Sequence, residues 1–250
     1  MKIQERTNDL FRRWKKQLEK DGLTGFCEDG LMYRGSYWED NGYSGFAPGA
    51  EEELWTNAPK RILFLLKDAN SNPDCDIREF YMAGNLLFNR SLAYWFYGLL
   101  AFDEKNDAPD YHSITKDQAF DTFHKKPFAI VNCKKESGTS TIATEILQQH
   151  IDSYTHFIKE EIDILAPDII VCGGGSSRLK NFVAEKIYPD LKPVNSWIFF
   201  DEGNNKVVID SYHPSYYQIE GGAETIYKDM MNAYKEFLEK YPDFRKSCRK

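Results

Sequence analysis

The sequence predicts an α/β fold: a single domain with a central, mainly parallel four-stranded sheet flanked by helices. Three observations carry this. Short apolar runs at residues 61–66, 128–131, 168–172 and 206–211 each end in a polar or glycine-rich stretch, the pattern of strands buried on both faces. Helical patterns alternate with these runs, which favours parallel strands joined by helical crossovers. No repeat or linker interrupts the 250 residues. One domain is therefore expected over 1–250, with a helix and irregular extension at 1–60 and the α/β core at 61–241.

The elements follow in order. Ile3, Leu10, Phe11, Trp14 and Leu18 share one face of a helix over about 3–20, with charges filling the rest. Residues 22–59 mix Gly, Tyr, Asp, Asn and Trp, with turn signals at Asp29-Gly30 and Asn41-Gly42, so an irregular stretch with at most a short hairpin is expected. After the first strand, residues 86–100 form an apolar helix. Ile142, Ile146, Ile151, Tyr154, Ile158, Ile162 and Leu165 mark a long helix that stops before Pro167. Residues 176–187 supply another helix. The Glu202-Gly203-Asn204-Asn205 turn joins two apolar segments as a hairpin leading into the fourth strand. Ile226, Met230, Tyr234 and Phe237 form the stripe of a last helix.

Charge and cysteine usage narrow the function classes. The formal charge of -7 argues against binding polyanions by bulk electrostatics, so any nucleic-acid contact needs a local basic stripe. Two basic clusters exist, Arg12, Arg13, Lys15, Lys16 and Arg245, Lys246, Arg249, Lys250; solvated helix and tail charges explain both. Cys27, Cys75, Cys133, Cys172 and Cys248 are odd in number and widely spaced, so neither a disulfide framework nor a cysteine-ligated metal or iron–sulfur site is expected. No apolar run is long enough to span a membrane, and the N-terminus lacks a secretion-signal core; a cytoplasmic protein is expected. The Gly173-Gly174-Gly175-Ser176-Ser177 stretch lacks the spacing of a dinucleotide or P-loop motif, so a tight turn is favoured over a phosphate cradle.

Four signals recur in one order. A strand runs into Leu65-Leu66-Lys67-Asp68-Ala69. A second ends Ile130-Val131-Asn132-Cys133-Lys134. A helix leads into Pro167-Asp168-Ile169-Ile170-Val171-Cys172-Gly173, and the last is Tyr212-His213-Pro214-Ser215. In this order they resemble the uracil-DNA glycosylase superfamily over residues 61–217.

The resemblance implies hydrolysis of the N-glycosidic bond of uracil or a related deaminated base flipped out of DNA. It implies Asp68 and His213 as catalytic residues, with Asn132 reading the base edge and Gly173 and Ser215 as further substrate contacts. Phe80 or Phe88 is the ring expected to stack on the base. Where family members carry Gly and Pro in the first loop, this chain has Leu66 and Ala69, and Asn70 or Asn72 is the other candidate to position water. Lys134, Tyr216 and Tyr217 are the expected nucleic-acid contacts; Lys134 and Lys135, with Ser137, Thr139 and Ser140, read from the residues either as DNA phosphate ligands or equally as a solvated loop. No metal or cofactor is implied, DNA is the expected partner, and no obligate protein partner is evident. A relative that binds a nucleobase, nucleotide or nucleic acid without cleaving it is the alternative. His112, His124, His150 and His156 read as ordinary surface or helix residues.

Overall fold

A computed structural model of the protein describes residues 2–103, 106–139 and 141–246. Ser140, Cys248, Arg249 and Lys250 lie outside the described residues. The elements in order are α1 (Ile3–Lys20), β1 (Gly30–Leu31), β2 (Tyr37–Asp40), β3 (Tyr43–Phe46), α2 (Glu51–Asn57), β4 (Ile62–Ala69), α3 (Leu87–Ala101), α4 (Lys116–Lys125) and β5 (Ala129–Ser137). There follow α5 (Thr144–Leu165), β6 (Ile169–Gly173), α6 (Arg178–Phe182), β7 (Lys192–Pro193), β8 (Ile198–Asp201), β9 (Lys206–Ser211), α7 (Gly222–Lys240) and α8 (Pro242–Lys246).

The fold is α/β, a central sheet flanked by helices, and the chain forms two compact units. Met1–Asn57, Leu63–Tyr81 and Pro127–Pro167 make the first; Ala58–Ile62, Met82–Lys126 and Asp168–Lys250 make the second. The four strands expected from the apolar runs are present, parallel in pairs, β4 with β5 and β6 with β9. Among the described residues, however, three strands pair in the first unit (β1, β5 and β4) and four in the second (β6, β9, β8 and β7), not four in all. The additional β1, β7 and β8 pair antiparallel at 30–31, 192–193 and 198–201, and β1 and β7 are too short to show a period.

In the first unit, β1 pairs with β5, so part of the expected irregular extension belongs to the sheet. Helix α5 packs on β5 and β1, and α1 packs on α5. Leu10, Phe11, Trp14 and Leu18 are the buried stripe of α1, and the Trp14 indole stacks on Phe157 of α5 at 5.3 Å. The 22-residue α5 is kinked at Tyr154 and ends at Ala166, which takes the left-handed conformation before Pro167. Asn41 and Gly42 both have positive φ, giving β2 and β3 the tight turn of a two-residue hairpin. Arg12, Arg13 and Lys15 pair with Asp9, Glu160 and Asp74, which makes that cluster a set of surface ion pairs.

In the second unit, β6 pairs with β9, β9 with β8, and β8 with β7. Helix α7 packs on β8, β9 and α3, and α3 packs on α4. The hairpin expected around residues 202–205 joins β8 to β9. The motif-based reading passes over α4, although Thr115 and Gln118 supply its capping box.

Candidate functional site

The first unit holds Asp68, Asn70, Phe80, Asn132 and Lys134. β4 continues past its apolar run through Lys67, Asp68 and Ala69, and β5 continues past Asn132 to Ser137. The expected catalytic loop is thus the paired end of a strand, because each polar stretch supplies the other's backbone partners. Leu66 lies opposite Asn132 and Asp68 opposite Lys134; the register then jumps to Ala69 opposite Ser137. This bulge leaves Lys135 and Glu136 without a register partner on β4, and the local bend of a bulge re-aims side chains.

Asn132 is 3% exposed. Its backbone N–H and its Nδ2 both donate to Asp29 Oδ2, at 2.8 and 3.0 Å. A carboxylate only accepts, so Asp29 fixes which end of the amide is nitrogen. Among the described residues, Asn132 Oδ1 has no hydrogen-bond partner. The other Asp29 oxygen takes the ammonium of Lys135, which also lies 2.7 Å from Glu161. All three charged side chains have 0% exposure, and Lys135 Nζ stands over the rings of Phe11 and Trp14. Lys135 as a phosphate ligand is therefore overturned: its charge is spent inside the core. Burial raises Glu161 well above the ordinary carboxylate range. One lysine faces two carboxyl groups, so the raised pKa favours the protonated form of Glu161. Glu136, the other bulge residue, reaches His150 at 3.3 Å. His150 is a helix residue, on α5, but on its buried side, and its pKa is lowered chiefly by burial.

Asp68 is half-buried. Burial raises its carboxyl pKa, with Lys134 and Lys67 pulling it back. Lys134 Nζ donates to the carbonyls of Glu136 and Ser137 at 2.8 and 3.3 Å, so it is anchored beside Asp68. Gly138 donates to the Ala69 carbonyl at 2.6 Å, and a methyl group there would come within 2.1 Å of Asp68 Oδ2. Gly138→Ala should displace the carboxylate; a displacement of ~1 Å at a catalytic group lowers rate about 10²-fold. The Asp68 carboxyl carbon resonance reads the displacement directly, and an unmoved signal would sink the prediction. Asn70 is exposed. Phe80, 40% exposed, bridges Gly45 at the β2–β3 hairpin.

The second unit holds Phe88, Gly173, His213, Ser215, Tyr216 and Tyr217. Gly173 ends β6 opposite Ser211 of β9. The Gly175 N–H donates to the Ser211 carbonyl at 3.2 Å, so the glycine stretch closes as a tight turn against the end of β9. The Ser215 N–H donates to His213 Nδ1 at 3.2 Å, which places the proton of a neutral imidazole on Nε2. The Phe88 ring lies 5.8 Å from the His213 ring. Tyr216 stacks on Tyr212 at 5.0 Å with the planes 4° apart, whereas Tyr217 is 64% exposed.

The motif reading missed Asp29, which lies 103 residues from Asn132 in a dipeptide that reads as a turn, so no local signal could have found it. Among the described residues no cluster of His, Cys, Asp or Glu could hold a metal ion, and no helix is long and apolar enough to cross a membrane. Compared with family models and with curated proteins, the chain matches none.

Proposed function

We propose that the protein is a DNA base-excision glycosylase that hydrolyses the N-glycosidic bond of uracil or a related deaminated base. Asn132 carries this reading. An acceptor buried without a partner, as its Oδ1 is, costs about 1–3 kcal/mol, and a ligand N–H removes that cost. One Nδ2 hydrogen is committed to Asp29, and the second is left to donate. A uracil edge offers an N–H beside a carbonyl oxygen, which this oriented amide matches.

The chemistry follows from charge development. The bond from C1′ to the base nitrogen breaks with its electron pair leaving on the base, while a water oxygen bonds to C1′. Asp68 stabilises the sugar cation, orients that water and passes its proton on to the departing base. His213 donates its Nε2 proton as a hydrogen bond to the base oxygen, where negative charge grows. Phe88, beside His213, is the stacking ring, and Tyr217 is the aromatic that contacts the DNA.

Purified protein incubated with oligonucleotides carrying uracil, hypoxanthine or xanthine tests the reading, with abasic sites revealed by alkali. Cleavage abolished by Asp68→Ala and Asn132→Ala supports it. A folded protein that binds these bases without cleaving them would move the assignment to a base-binding relative, a reading favoured by the net charge of -7. The pH profile gives a further check. Asp68 acts as carboxylate, and burial raises its pKa, so activity should fall on acidification at a pH above the ordinary aspartate value. Asp68→Asn should leave a residual rate without that limb.

A further inference from the structure

We infer that Cys27 and Cys75 form a redox-active dithiol, a site of reversible disulfide formation with a peroxide as the oxidising substrate. Backbone geometry in the first unit carries this. The Glu28 N–H donates to the Cys75 carbonyl at 2.9 Å, and the Ile77 N–H donates to the Glu28 carbonyl at 2.8 Å. Glu28 and Asp76 are thereby partners in a parallel bridge. One step back along both segments sets Cys27 beside Cys75. Adjacent strands lie about 4.8 Å apart, within the ~4.4–6.8 Å Cα separation that a disulfide spans, and partners in parallel segments project to the same side.

The sulfurs are correspondingly close. Ser71 Oγ lies 2.8 Å from Cys75 Sγ and 3.5 Å from Cys27 Sγ. Both cysteines pack in one small cluster with Ala69 and Ile77. Cys27 is buried, whereas Cys75 is partly open to solvent, so a small oxidant can reach the pair from the Cys75 side. Hydrogen bonds from Cys75 and Ser71 lower the Cys27 thiol to about 6, and the same pairing, with burial, raises Cys75. The carbonyls of Gly25 and Asn72, 3.6 and 3.5 Å from Cys27 Sγ, accept from the thiol and oppose a permanent thiolate. Adjacency, more than acidity, makes the site.

The reaction balances as a two-electron oxidation. A thiolate sulfur attacks the O–O bond of the peroxide, releasing hydroxide, or an alkoxide from an organic peroxide, and leaving a sulfenic acid. The second sulfur, losing its proton, displaces the sulfenic oxygen as water and forms the S–S bond. With hydrogen peroxide, two thiols and one peroxide give one disulfide and two waters. The bond would tie residues 70–76, which follow Asp68, to the segment preceding β1.

The test is brief treatment of the folded protein with a small excess of hydrogen peroxide, alkylation of remaining thiols and peptide mass spectrometry. The expected result is a Cys27–Cys75 linked peptide, cleaved by dithiothreitol, with Cys133 and Cys172 alkylated as free thiols. In Cys75→Ser the link should vanish and Cys27 should be captured by a sulfenic-acid probe. If that variant fails to fold, the linked peptide of the unsubstituted protein decides alone. Free Cys27 and Cys75 after treatment, a link to another cysteine, or overoxidation without a linked peptide would each overturn the inference. None of these readouts depends on glycosylase activity, so the dithiol and the proposed function fail independently.

Discussion

Lys135→Met should lower the free energy of unfolding by about 3–5 kcal/mol, the range for removing one partner of a buried ion pair. Lys135, Asp29 and Glu161 are all at 0% exposure, and the thioether replaces the volume of the lysine stem but not its charge. Asp29 then keeps its charge in the core beside the Glu161 carboxyl, without the cation that faced them both. Urea unfolding at an unchanged m-value measures the loss; a change below ~1 kcal/mol would mean that the carboxylates reach water. The pH dependence has a definite sign. A carboxyl whose folded pKa is raised, as that of Glu161 is, binds its proton more tightly in the native state. Its stability contribution is complete below the unfolded glutamate pKa and declines as pH rises towards the folded value, by up to about 1.4 kcal/mol per unit. Glu161→Gln keeps the neutral shape and should flatten that decline. Replacing the whole triad by apolar residues would cost little by the same logic, but Asp29 also holds Asn132, so its loss should show first in base recognition.

His213→Ala should lower the rate of base excision by about 10²–10³-fold, the effect of removing one preplaced donor at a developing anion. The Ser215 N–H on Nδ1 fixes the tautomer with the donor proton on Nε2, so the ring needs no protonation to act. Single-turnover excision from a uracil oligonucleotide measures the effect, with affinity for the abasic product as control. A fold-intact variant that loses less than tenfold would assign the electrophile elsewhere. A variant that loses product affinity in step with rate would make His213 a binding residue.

Much of this architecture was legible where burial leaves an unbroken apolar run, as at residues 62–66 and 169–172. It was not legible where strands are polar. Lys67-Asp68-Ala69 and residues 133–137 read as loops because lysines and carboxylates are seldom inside, yet they pair with each other around a bulge. Lys135 misled for the same reason, since the acids that allow its burial lie far away in sequence and no window along the chain contains them. Tyr216 and Tyr217 look alike in sequence, and only the position of Tyr212 separates the stacked ring from the exposed one. The four motifs singled out Asp68, Asn132 and His213, but not the hydrogen bonds from Asn132 to Asp29 and from Ser215 to His213.

The first unit is spliced from three stretches of chain, and its buried triad joins Asp29 to a lysine 106 residues later. During synthesis, Asp29 leaves the ribosome long before Lys135 and Glu161 exist. At ~5–20 residues per second the wait is on the order of 5–25 s, during which α1 carries a bare aromatic stripe with no α5 to receive it. The N-terminal helix should therefore be a chaperone client until translation has passed residue 165, and truncated chains ending before that point should be cleared rather than accumulate as a folded fragment.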